Sequence, residues 1–163
     1  MNYKFKTKPY AHQLKALERS WDKEYFAYFM EMGTGKSKVL IDNASILYDK
    51  GEINGLLLIA PKGVYKNWYD GEIPTHMVDH IEKKVVLWET SNSSIEKIKE
   101  LNTLFATGTD FHILIMNVEA FSYPKATEFA RRFLSCHKAM MAIDESTTIK
   151  TPTANRTLSL IHI

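Results

Sequence analysis

Five short runs of branched and aromatic residues, 25–30, 55–60, 84–88, 112–116 and 138–143, alternate with longer segments whose apolar residues recur at three and four spacing. A run of five or six apolar residues is too short for a buried helix and reads as a strand covered on both faces. The intervening segments 36–48, 63–68, 94–105 and 125–134, and an opening segment 9–21, read as helices with one apolar stripe. Strand and helix in strict alternation predict an α/β fold, a parallel sheet with helices on both faces. No internal repeat, low-complexity tract or Pro/Ser-rich linker interrupts the pattern, so the 163 residues are expected to form a single domain, 1–163.

Charge decides little here. Twenty-one Lys plus Arg against nineteen Asp plus Glu leave a net charge of +2, too near balance to diagnose a nucleic-acid partner. Cys136 is the only cysteine, which excludes an internal disulfide and reads as a buried reduced thiol in an intracellular, cytoplasmic protein. The basic start, residues 1–8, is followed by no apolar run, and no stretch approaches the length of a membrane span, so neither a membrane nor secretion is expected.

The first strand runs into Glu31-Met32-Gly33-Thr34-Gly35-Lys36-Ser37 and then a helical pattern, the context that a phosphate-binding loop requires. Gly33, Thr34 and Gly35 would turn backbone N–H groups toward phosphates at the positive end of the following helix. Lys36 would reach the outer phosphates and Ser37 would hold Mg²⁺. Met30 stands where the general loop pattern has a glycine.

An ATP site also needs a carboxylate at the end of another buried strand. The last apolar run leads straight into Asp144-Glu145, with Asp144 suited to Mg²⁺ and Glu145 to orienting and deprotonating the attacking water. Both would stand at the carboxyl edge of the sheet, the edge from which the phosphate loop departs. The ligands implied are ATP and Mg²⁺.

The string Ile143-Asp144-Glu145-Ser146-Thr147-Thr148-Ile149-Lys150-Thr151-Pro152, with Arg156-Thr157, resembles the Asp-Glu box of superfamily 2 helicases, in particular the Swi/Snf-like branch. Ser146 and Thr147 replace the Ala and His of that DEAD/DEAH-type box. The phosphate loop is similar to the Glu-Met-Gly-x-Gly-Lys-Thr/Ser loop of the same branch, which also lacks the first glycine. Pro9-Tyr10-Ala11-His12-Gln13 resembles the element whose Gln reads the adenine edge, so Gln13 is the implied adenine contact. Leu57-Leu58-Ile59-Ala60-Pro61-Lys62, with Asn67-Trp68 and Glu72, and then Ile113-Leu114-Ile115-Met116-Asn117-Val118-Glu119, resemble motifs that lie along the nucleic acid. The resemblance therefore implies Lys62 and Asn117 as nucleic-acid contacts, while Trp68 reads as core.

Taken together, the resemblance implies a P-loop NTPase (RecA-like) helicase ATP-binding lobe. Its activity would be DNA-dependent ATP hydrolysis coupled to movement along DNA, usually duplex. The alternative is a non-catalytic ATP-binding module that regulates attachment to DNA or to a partner. The motif that relatives place on the next strand, between the phosphate-loop strand and the Asp-Glu strand, is not found. The C-terminal strands and the second lobe, with its arginine fingers, are therefore expected to be missing, and hydrolysis by this chain alone to be very slow. The closing residues 158–163 depart from the charged helix of relatives and are expected to be non-native. His76 and His80 have the spacing of one helix face but no third ligand to match, so no zinc site is expected. Lys4, Lys6 and Lys8 read as a solvated, frayed arm.

Overall fold

The computed structural model describes residues 3–89, 94–106, 108 and 110–145. Four parallel strands, β1 (Gly55–Ala60), β2 (Lys83–Leu87), β3 (Phe111–Asn117) and β4 (Ala139–Ile143), form one sheet in the order β2-β3-β1-β4. The register pairs Leu57 with Leu114 on one side and with Met141 on the other, so β1 is central. Its six residues and the seven of β3 are all buried, which is why they read as unbroken apolar runs.

Helices cover both faces. On one face α2 (Lys36–Asp49) sets Ile41 and Ala44 against Leu56, Leu58 and Ala60 of β1. The same face carries a nearly continuous helix built from α3 (Tyr65–Asn67), a wide π-helical turn (Trp68–Glu72) and α4 (Ile73–His76). On the opposite face α5 (Ile95–Thr103), a 3-10 turn (Val118–Ser122) and α6 (Pro124–Cys136) bury Leu101, Phe121, Ala126, Ala130 and Phe133 against Leu57, Ile59, Leu114 and Met116. Each such Leu, Ile or Phe contributes about 1.5–3 kcal/mol on burial, so these two layers carry the fold. The opening helix α1 (Ala11–Ser20) packs Leu17 on Val39 and Ile46 of α2.

Four expectations need correction. Residues 25–30 take no regular secondary structure and pair with no strand among the described residues. Tyr28 and Met30 turn inward onto the α1–α2 cluster, while Tyr25 and Phe29 stand 85% and 97% exposed. Only residues 28–30 alternate in and out, residues 25–27 being all exposed, and no ladder partner lies beside them among the described residues. Secondly, the helix expected over 63–68 continues to His76. The wide turn, closed by Ile73 N–H donating to Trp68 O, absorbs the bond that Pro74 cannot make.

Thirdly, the basic arm is docked rather than frayed. Lys6 Nζ donates to Asp79 Oδ1 at 2.5 Å and Pro74 O at 2.8 Å, and Tyr3 OH donates to Asp49 Oδ2 at 2.7 Å. Finally, Cys136 is exposed at the end of α6 rather than buried. Residues 146–163, including the rest of the Asp-Glu box and the closing segment, lie outside the described residues. No helix among the described residues is long and apolar enough to cross a membrane.

Candidate functional site

The phosphate loop owes its shape to two glycines. Gly33 and Gly35 have φ of +76° and +79°, a left-handed backbone that costs other residues about 1–2 kcal/mol each. Gly35 is the N-cap of α2, and that cap makes no side-chain hydrogen bond; nor does the first turn hold an acidic residue. The first N–H groups of a helix lack acceptors within the helix, so this N-terminus offers uncapped donors and a positive dipole end to an anion. Lys36 begins the helix and its Nζ donates to Met30 O and Glu31 O, both at 3.0 Å, which holds the ammonium over its own loop. Thr34 Oγ1 closes the turn by donating to Glu31 O at 2.7 Å. Met30 needs no glycine's freedom: its side chain packs with Leu17, Val39 and Ile46 while its carbonyl holds Lys36.

α2 carries this loop to the correct edge of the sheet. Its 14 residues rise about 1.5 Å each, and the six of β1 about 3.3 Å each, so both span about 20 Å. α2 leads into β1 through the short turn 50–54 and packs along it, so the two run in opposite directions. Lys36 and the half-buried Ser37 thus return to the level at which the strands end.

Asp144 stands at that same edge, directly after β4. Its N–H donates to Ile59 O of β1 at 2.8 Å, and its Oδ2 accepts from Trp68 Nε1 at 2.9 Å. Glu145 follows with φ of +50°, a conformation uncommon outside glycine and costly for a side chain, so the chain turns sharply as it leaves the strand. Glu145 is exposed.

α1 closes over the loop. Gln13 is only 4% exposed; its Nε2 donates to Thr34 O at 3.1 Å and its Oε1 accepts from Tyr10 N at 2.9 Å. His12 Nε2 meets the same Thr34 O at 3.0 Å, and the Tyr10 and His12 rings stack with centroids 5.8 Å apart.

A family profile for the SNF2-related domain matches residues 28–163. The chain belongs to the SNF2-related domain family. Among solved structures it is similar to the Sulfolobus solfataricus SWI2/SNF2 ATPase core in complex with dsDNA, at 20% identity and a TM-score of 0.68. That alignment covers 98% of this chain and 31% of that one, so the present chain spans about a third of the protein it resembles. The comparison with curated proteins gives no match.

In this Swi/Snf-like lobe the sequence-predicted residues fall into two groups. Gln13 donates to Thr34 O and lies against Gly35, Thr34 and Lys36 share the Glu31 carbonyl, and Gly33 belongs to the same loop; Ser37, Asp144 and Glu145 share the carboxyl edge of the sheet. Lys62 is exposed just beyond β1 at that edge. Asn117 is 3% exposed and its Oδ1 caps the 3-10 turn by accepting from Ala120 N at 2.8 Å, a structural job at the position where the resemblance implies nucleic acid. Sequence reasoning missed two participants. His12 lies inside the quoted adenine motif, and its spacing one residue before Gln13 was the available signal. Trp68 is buried as expected, yet its indole N–H reaches a carboxylate 76 residues away, for which no local pattern exists.

His76 and His80 face different partners: His76 Nδ1 lies 2.8 Å from Thr7 Oγ1, and His80 Nε2 lies 2.9 Å from Asp49 Oδ1. Among the described residues no three His, Cys, Asp or Glu side chains group as a metal site.

Proposed function

We propose that this chain binds ATP with Mg²⁺ and hydrolyses it as the first, ATP-binding lobe of a DNA-dependent motor of the Swi/Snf-like branch, residues 1–163 forming that one domain. The observation that carries the reading is the uncapped N-terminus of α2, with Gly33, Gly35 and Lys36 set about it, on the sheet edge where Asp144 and Glu145 emerge. The donor set fits the group: helix N–H groups and an ammonium for phosphate oxygens, a hydroxyl and a carboxylate for a hard cation.

In this reading the α2 amides and Lys36 hold the β- and γ-phosphates, Ser37 and Asp144 hold Mg²⁺, and Gln13 fixes α1 and the loop beside the adenine. Bound Mg²⁺ supplies charge neutralisation at the phosphates. Glu145, exposed beside Asp144, takes the proton of the attacking water. Duplex DNA is the proposed partner, in line with the Sulfolobus structure's description, and Lys62 is the proposed phosphate contact. The Lys62 ammonium can neutralise one backbone phosphate, which makes its contribution salt-dependent and indifferent to sequence.

Titration with a fluorescent ATP analogue and single-turnover hydrolysis, with and without duplex DNA, test this. Binding should vanish in Lys36→Ala and survive in Glu145→Gln, whose turnover should be lost. Unchanged binding in Lys36→Ala sinks the phosphate site. Turnover in the unmodified chain, even if slow, should exceed that of Glu145→Gln; binding with turnover no faster than that of Glu145→Gln decides for the non-catalytic ATP-binding module.

A further inference from the structure

The bond between Trp68 and Asp144 has consequences for the metal side of the proposed ATP site. Asp144 is the first residue past β4, and its N–H donates to Ile59 O at 2.8 Å. Glu145 follows at φ +50°, where the strand has already ended. Two torsions of that side chain are left to be fixed by a contact, and Trp68 Nε1 at 2.9 Å supplies it.

We infer that Trp68 is a positioning residue for Asp144: its indole N–H clamps Oδ2, so the carboxylate meets Mg²⁺ in one preset orientation. The inference rests on the ATP-site reading above. Trp68 suits the task in three ways. It is 3% exposed and wedged among core residues of the sheet face, including Tyr65, Ile73 and Ala142, so its ring has no room to swing. Its N–H is a donor only and can do nothing but hold an acceptor. It is also neutral, so it orients the carboxylate without placing a positive charge where a divalent cation must arrive, as a lysine or arginine would.

The helix is built to present that ring. Trp68 opens the wide turn, with its carbonyl accepting from Ile73 N–H. Gly71 in the same turn leaves room for Asn67: a Cβ there would come within 2.9 Å of Asn67 Oδ1. Wide turns of this kind are often found where a helix must re-aim a side chain at a site.

The test is the Mg²⁺ requirement of nucleotide binding, read by fluorescence of a labelled ATP analogue in the full chain across a Mg²⁺ titration and in EDTA. Trp68→Phe keeps the ring and removes the donor. The Mg²⁺ concentration for half-maximal tight binding is expected to rise about tenfold, with Mg²⁺-free affinity unchanged, as for other residues that orient a metal ligand. A folded Trp68→Phe protein with the unmodified Mg²⁺ requirement overturns the inference while leaving the ATP site intact, provided that Lys36→Ala still abolishes binding. Binding indifferent to Lys36→Ala overturns the ATP-site reading and this inference with it.

Should Trp68→Phe not fold, the unmodified protein answers by ¹⁵N NMR of its three tryptophan indoles. The Trp68 signal is the one that persists in both Trp21→Phe and Trp88→Phe. It is expected to shift when Mg²⁺ is added to the nucleotide-bound protein; a signal that stays in place overturns the inference.

Discussion

Gln13 Nε2 donates to Thr34 O at 3.1 Å while Gln13 Oε1 takes the Tyr10 N–H at 2.9 Å, so one buried amide ties the start of α1 to the phosphate loop. Both halves of the amide are used, and two variants separate them. Gln13→Ala strands the Tyr10 N–H and is expected to lower stability by about 1–3 kcal/mol, read by urea denaturation. Gln13→Glu keeps the acceptor for Tyr10, loses the donor to Thr34 and adds a negative charge beside the proposed phosphates. It should lose at least as much stability as Gln13→Ala, because a carboxylate is then buried against the Thr34 carbonyl, and more nucleotide affinity. Equal nucleotide affinity in the two variants argues against phosphates at this loop.

The two loop glycines should differ in what they tolerate. Both need φ near +80°, so alanine at either is strained by about 1–2 kcal/mol. At Gly33 an added Cβ meets nothing within 4 Å, whereas at Gly35 it collides with Gln13 Nε2. Gly35→Ala is therefore expected to unfold at lower denaturant than Gly33→Ala, and Gln13→Ala in the Gly35→Ala background should recover part of the gap. Identical midpoints for the two single variants contradict the packing of Gln13 on the loop.

The sequence exposes what is local. β1 and β3 are buried on both faces, so their apolar runs are unmistakable, and the phosphate loop is legible because Gly33 and Gly35 meet a backbone need that falls within seven residues. What stays hidden depends on distant partners. Residues 25–30 have the composition of a strand, but pairing is a tertiary property, and no strand lies beside them among the described residues. Glycine and proline ordinarily break helices, whereas the wide turn accommodates Gly71 and Pro74 follows it. The arm's Tyr3 and Lys6 find Asp49 and Asp79 across 46 and 73 residues, and Trp68 finds Asp144 across 76. Composition near any of these positions holds no trace of the contact.

Lys38 and Asp42 form a buried pair on α2 at 2.6 Å, with Phe5 of the arm laid 5.4 Å from the ammonium. Burial raises the Asp42 carboxyl's pKa above its ordinary value, and Lys38 works against that rise. Lys38→Met removes the counter-charge and should destabilise by about 3–5 kcal/mol at neutral pH. The double variant Lys38→Met/Asp42→Leu, which leaves no buried charge, should regain most of that loss. A carboxyl whose folded pKa is raised is most favourable to the fold when protonated. The Lys38→Met penalty is therefore expected to shrink as pH falls through the raised value. Denaturation of the unmodified chain and the two variants at neutral and mildly acid pH checks this, and a penalty that does not change with pH refutes it.

At the other end of the sheet, His112 on β3 is 3% exposed and its ring stacks on His137, centroids 4.8 Å apart and 26° from parallel. The Nδ1 atoms of both rings have no hydrogen-bond partner among the described residues. Burial lowers the His112 pKa below its ordinary 6.5, the His137 ring lowers it further, and Asp110 and the backbone contacts with Asn54 and Asp110 oppose the fall without reversing it. A histidine with a depressed folded pKa holds fewer protons folded than unfolded, so its contribution to stability is complete above pH 6.5 and drains away as pH drops through the lowered value. His112→Phe keeps the stacking and removes the titration. The unmodified chain should thus lose more stability than His112→Phe between neutral pH and pH 5. Any slope common to both belongs to other groups, His76 among them, whose pKa burial also lowers. Parallel curves for the two proteins in urea denaturation across this range remove His112 as the acid-sensitive group.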